Sequence, residues 1–148
     1  YSDSTIVSKI AIDNTSSGIL IVNNIFYLEG ISKAVLGDQY KPDSKTGDVA
    51  EHVFFKNNLF LHRDNWPKNV GISDSSPVFG DPKFANAGGL VVIDYLPTNR
   101  GLLKNKGLNI ELLPNDKTGL LQSLNLKEDI LGNPISGVPS IGAIEPKE

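Results

Sequence analysis

Two residue types are missing altogether: the 148-residue chain has no cysteine and no methionine. Without cysteine there is no disulfide framework, no thiolate metal site and no cysteine nucleophile. That absence fits either redox compartment and says nothing about location. The opening Tyr1-Ser-Asp-Ser4 has no initiator methionine and no signal-peptide pattern, so a mature or trimmed chain is expected, either processed at Tyr1 or cut from something longer. Long apolar runs are also lacking. The longest, Gly18-Ile-Leu-Ile-Val22, stops at about five residues, against the roughly 20 that a spanning helix requires. Positive charge is scarce, with 14 Lys and Arg against 17 Asp and Glu, for a net charge of −3. Nucleic-acid backbone binding and a polybasic membrane anchor both need a clustered basic footprint, so neither is expected.

What is present describes a globular piece. Hydrophobic residues make up 39% and charged residues 21%, which is neither a disordered nor a membrane composition. A chain of this length can bury roughly two-thirds of its unfolded surface and needs no staples to fold. Fourteen glycines and nine prolines cut it into short pieces. Strands are predicted over 5–12, 19–22, 25–28, 52–55, 59–61 and 91–96, from β-branched and aromatic content. Residues 31–50 and 64–78 read as loop insertions. Beyond Pro97, leucines recur among Asn, Gly and Pro without period, with a short helix predicted within 119–130.

One pattern repeats. Ile21-Val-Asn-Asn-Ile-Phe-Tyr-Leu28 aligns with Phe55-Lys-Asn-Asn-Leu-Phe-Leu-His62 at an offset of 34 residues, inside the range of roughly 20–45 for stacked repeats. An Asn pair in an apolar strand context needs partners, because an unpaired buried amide is costly. Stacked bends supply them: Asn tolerates the left-handed conformation, and its amide can bond to the equivalent bend one coil away.

These residues resemble a family. Asn23-Asn-Ile-Phe-Tyr27 and Asn57-Asn-Leu-Phe60 resemble the N-N-x-F turn of right-handed parallel β-helix proteins of the pectate-lyase-like type. Asp81-Pro-Lys-Phe84 with Gly88-Gly89 resembles the D-P-x-F segment of their last coils. Asp129-Ile-Leu-Gly-Asn-Pro134 followed by Ile141-Gly-Ala-Ile-Glu145 resembles their closing motif. The resemblance runs from about Thr5 to Glu145 and covers only the family's C-terminal coils. It implies an all-β solenoid, with coils over 1–96 and an irregular C-terminal cap and closing strand over 97–148. It further implies a polysaccharide ligand and an extracellular, cell-surface or periplasmic location. The activity classes it implies are polysaccharide lyase and glycoside hydrolase. Non-catalytic carbohydrate-binding modules, adhesins and tailspikes share the same fold. No family catalytic motif matches, so no catalytic residue is carried over. Upstream coils or a second protein chain are expected against the N-terminal end, since an open solenoid end exposes strand edges.

The candidate binding residues cluster after the second Asn pair. Trp66 can stack on the apolar face of a sugar ring. His62, Arg63 and Asp64 stand beside it, and Arg63 can pair a carboxylate. The alternative for Trp66 is packing over a coil edge, anchored by Pro67. Glu51, Asp64 and Asp74 are the nearest acids for glycosidase chemistry, which needs two carboxyls about 5–10 Å apart. His62-Arg63-Asp64 matches a kinase triplet, but the glycine-rich loop and Asp-Phe-Gly are missing. No metal site is expected: His52 and His62 lack a third ligand. Asp43-Ser-Lys-Thr-Gly-Asp48 partly matches a calcium loop, yet Lys45 takes a ligand position and no closing Glu follows, which favours a solvated turn. Asn14-Thr-Ser16 fits a glycosylation sequon that matters only in a eukaryotic secreted protein.

Overall fold

A computed structural model describes residues 8–10, 17–29, 34–36, 51–65, 73–110 and 126–147. Among the described residues there are seven short strands: β1 (Ser8–Ile10), β2 (Ser17–Val22), β3 (Ile25–Phe26), β4 (Ala34–Leu36), β5 (Glu51–Lys56), β6 (Leu59–Phe60) and β7 (Val78–Phe79). A 3₁₀ turn covers Val92–Tyr95 and a single helical turn, α1, covers Arg100–Leu103. The described residues are thus strand and coil with little helix. No described helix is long and apolar enough to cross a membrane.

Every pairing between these strands is parallel. β1 pairs with β4, β2 with β5, and β3 with β6, which in turn pairs with β7. The registers place Ile19 on Val53, Ile25 on Leu59 and Phe26 on Phe60. Each step is the 34-residue offset of the sequence echo. A further rung follows only 19 residues on, with Leu59 on Val78, Phe60 on Phe79 and Asp74 bridged to Phe55. Aliphatic residues therefore meet aliphatic ones vertically, and phenylalanine meets phenylalanine. Phe26 and Phe60 stack at 5.2 Å with their planes 7° apart, and Phe79 continues the row at 6.2 Å.

The stretch read as a loop over 31–50 contains β4, a strand in register with β1. The stretch read as a loop over 64–78 contains the Asp74 bridge and the first residue of β7. These pairing segments are too short to show a period, which is why composition alone favoured loop.

The C-terminal half also departs from expectation. Val91–Leu96 reads as a strand but winds into the 3₁₀ turn. The cause is Asp94: its carboxylate accepts from the Val91 N–H at 3.2 Å, while its own N–H donates to the Val91 carbonyl at 3.0 Å. The predicted helix within 119–130 lies mostly outside the described residues, and its described part, 126–130, is not helical. Ile141–Ile144 is not a strand either. It docks through isolated bonds, the Ile141 N–H to the Leu103 carbonyl and the Gly142 N–H to the Asn23 carbonyl.

The described leucines after Pro97 divide. Leu103 is fully buried with Leu59 and Ile141, and Leu102 packs against them with Ile25 and Val78. Leu126 and Leu131 are exposed. Because Ile25, Leu59 and Val78 belong to three successive rungs, Leu102 and Leu103 lie along the flank of the stack.

Candidate functional site

Two rows of amides and acids organise the corner between β2 and β3 and its equivalents. Asn23 and Asn57 adopt φ values of 58° and 55°, the left-handed conformation that Asn tolerates. The bend at Asn57 buries the following Asn58, whereas Asn24 after the Asn23 bend stays exposed. The Asn24 N–H and Nδ2 donate to Asn58 Oδ1 at 2.9 and 3.0 Å. Asn58 Nδ2 donates to the Ile21 carbonyl at 2.9 Å and to Asp74 Oδ2 at 2.7 Å. Asp74 ends the ladder. Its carboxylate also accepts from the N–H groups of Asn57, Asn58 and Ser76 at 2.9–3.0 Å. An acid fits there because every neighbour is a donor.

The outer row faces the C-terminal segment. Asn57 Nδ2 donates to Asn23 Oδ1 and to the Lys106 carbonyl. Asn23 exchanges two bonds with the Leu108 backbone, at 2.8 and 2.9 Å. The segment thus runs from the Asn57 rung to the Asn23 rung.

The predicted binding residues sit on a turn leaving β6. Asn65, buried, fixes that turn. Its Oδ1 accepts from the His62 N–H at 2.7 Å, its N–H donates to the His62 carbonyl at 3.1 Å, and its Nδ2 donates to the Leu28 carbonyl of the preceding rung at 3.3 Å. The turn presents His62, Arg63 and Asp64 to solvent. The Arg63 guanidinium lies over the Phe79 ring, 4.5 Å from its centre, and no ion pair to Arg63 is formed among the described residues. Trp66 lies outside the described residues, as does the 43–48 loop considered for calcium. The side chains of Glu51 and His52 are likewise outside the description. Of the acids considered for catalysis, Asp74 is buried in the ladder and Asp64 is exposed on the turn. No cluster of three His, Cys, Asp or Glu side chains suited to a metal occurs among the described residues.

Two features carried no sequence signal of site type. A cleft of about 1090 Å³ opens beside the first rung, lined by Ile25, Phe84, Tyr95, Ile130 and Ile141 among others. At its rim Asp129 organises the closing motif. Its carboxylate accepts from Leu131, Asn133 and Glu145 N–H groups and from Asn133 Nδ2, at 2.7–2.8 Å. Burial pushes this carboxyl upward, but the Asn133 amide and the three backbone donors outweigh it and hold it below the ordinary 3.8. Glu145 in turn accepts from the Ser140 N–H and hydroxyl at 2.8 and 2.6 Å. The second feature is an exposed apolar turn at 90–93.

No model of a known protein family matches this chain. A search of curated proteins returns no match.

Proposed function

We propose that this chain forms coils and the flanking cover of a right-handed parallel β-helix that binds polysaccharide. The solenoid reading is supported by three stacked rungs in parallel register, joined by an amide–acid ladder and a row of phenylalanines. β1, β2 and β3 each stand at the edge of their sheet. That is where further coils, or a second chain, extend the stack. A solenoid of this kind would work outside the cell, at its surface or in the periplasm, where polysaccharide is met.

The glycan reading rests on Arg63. A guanidinium stacked on an aromatic ring keeps its N–H edge free for bidentate contact with a carboxylate. Phe79 holds Arg63 in that pose, and Asn65 fixes the turn that carries it. His62 and Asp64 offer neighbouring hydrogen bonds to hydroxyls, and Trp66 follows directly in sequence. Asp74 takes no part, because its oxygens are committed to four donors. We assign no lyase or glycoside-hydrolase chemistry to these residues; such chemistry would come from other coils. Calorimetric titration with uronate-containing and neutral oligosaccharides tests the reading. The expected result is binding that Arg63→Ala weakens by about tenfold or more. No binding to any glycan, or binding indifferent to Arg63→Ala and Trp66→Ala alike, would defeat it.

A further inference from the structure

The amide ladder is closed at one end of the stack and open at the other. At the second rung Asn58 is fully buried, and its Oδ1 accepts two bonds from the rung before it, from the Asn24 N–H and Nδ2. Asn24 makes the same pair of bonds to the rung after it as Asn58 makes to Asp74. Yet Asn24 is exposed, and its Oδ1 accepts no bond among the described residues. Its second amide hydrogen turns to the Val22 carbonyl of its own rung at 3.0 Å, whereas that of Asn58 reaches back to the Ile21 carbonyl of the preceding one. The outer row shows the same difference. Asn57 Nδ2 divides its hydrogens between Asn23 Oδ1 of the preceding rung and the Lys106 carbonyl. Asn23 Nδ2 gives one hydrogen to the Leu108 carbonyl, and its other has no partner among the described residues. The first rung therefore presents a spare donor beside a spare acceptor, next to the unpaired edge of β3.

We infer that this edge receives one further parallel rung carrying its own Asn-Asn bend, and not a second copy of the chain. In such a rung the first Asn offers its Oδ1 to Asn23 Nδ2. The second offers its N–H and Nδ2 to Asn24 Oδ1. These are the bonds that Asn23 and Asn24 themselves make with Asn57 and Asn58. The other end of the stack lacks that pair. The register of β6 on β7 sets Ser76-Pro77 opposite Asn57-Asn58. Pro77 has no N–H to give. Asp74, the acid of that rung, is an acceptor only, and four donors already occupy it. Copies stacked head to tail would thus bring no donor pair to Asn24 Oδ1, and a buried acceptor without a donor is costly. Asp74 closes the ladder at its own end, so the ladder is continued only from the β3 edge. The inference names the occupant of that edge; it rests on the parallel stacking described above and is independent of the glycan reading.

An extension of the full chain tests it. Residues 27–33 join β3 to β4, and β4 pairs with β1 through Ala34 on Ser8. Residues 1–7 precede Ser8, a stretch of the same length. A copy of the Ser17–Phe26 sequence placed directly before Tyr1 therefore brings an Asn-Asn bend to the β3 edge with a connection of matching length. NMR on labelled protein is expected to show a scalar coupling from the N–H of the added second Asn to the Asn24 side-chain carbonyl. The melting temperature should rise by about 3 °C or more. The same extension with Ser-Pro in place of its Asn-Asn, the corner of the β7 rung, should show neither effect. An Asn-Asn extension that leaves the Asn24 signals unmoved overturns the inference, as does a Ser-Pro extension that stabilises equally. If the coupling from the Leu59 N–H to the Asn24 carbonyl persists in that case, the parallel stack stands and this inference alone fails. An unextended chain that dimerises, with Asn24 signals shifting as its concentration rises, assigns the edge to a second copy and overturns the inference too.

Discussion

Asp74 shows how much one side chain can decide. Its two oxygens satisfy three backbone N–H groups and the Asn58 amide, all in buried or part-buried positions. Asp74→Ala strands these donors, and each buried unsatisfied group costs about 1–3 kcal/mol. We expect a loss of roughly 3 kcal/mol or more in urea denaturation. A change below about 0.5 kcal/mol would mean that water replaces the carboxylate without penalty. Asn58→Ala should cost slightly less, because Asp74 keeps its backbone donors. Asp129 gives a pH signature. Its carboxyl is held below 3.8 in the folded chain. It therefore contributes stability above its unfolded value, near pH 4, and that contribution drains as pH falls through the lower folded value. Asp129→Asn should lower the melting temperature at pH 6 and lower it less at pH 3. An equal loss at both values would show that the carboxylate charge is irrelevant.

Among the elements, what the sequence reveals depends on length and repetition. The Asn pairs could be read because the same six-residue pattern occurs twice, and their bends fall where the echo places them. β7 could not be read this way. Its rung keeps only Asp74, Val78 and Phe79, and the step shrinks to 19 residues, so no echo remains. Asp74 stands opposite Phe55 in register and not opposite an asparagine, yet it closes the ladder on Asn58, which hid it among the candidate acids. Val91–Leu96 has strand composition, yet one carboxylate closing on the Val91 N–H overrides that preference. Among the binding candidates, the Arg63 turn was visible from residue types, whereas its support by Phe79 and Asn65 depends on contacts between rungs. The flanking segment is held by close backbone approach at Gly107. Its N–H donates to the Pro139 carbonyl, and an added Cβ would lie 2.7 Å from that oxygen. Gly107→Ala should cost about 1–3 kcal/mol as the segment shifts away. An unperturbed melting temperature would place the 139–142 strand of contacts outside the cooperative unit.

At the scale of the whole molecule, the account makes one central claim. Successive short strands stack in parallel, bound by side-chain ladders at their corners, and the C-terminal segment covers their flank. Parallel stacking leaves strand edges at β1, β2 and β3 and a braced turn carrying Arg63 after β6. Each of these proposed contact surfaces presupposes the same register. Scalar couplings across hydrogen bonds, measured by NMR on labelled protein, read that register directly. Couplings are predicted from the Leu59 N–H to the Asn24 carbonyl and from the Val78 N–H to the Asn58 carbonyl, bonds of 2.8 and 2.9 Å. Finding both establishes two consecutive parallel rungs. Couplings that instead join neighbouring strands in antiparallel order, for instance β5 to β6 as a hairpin, would contradict the account.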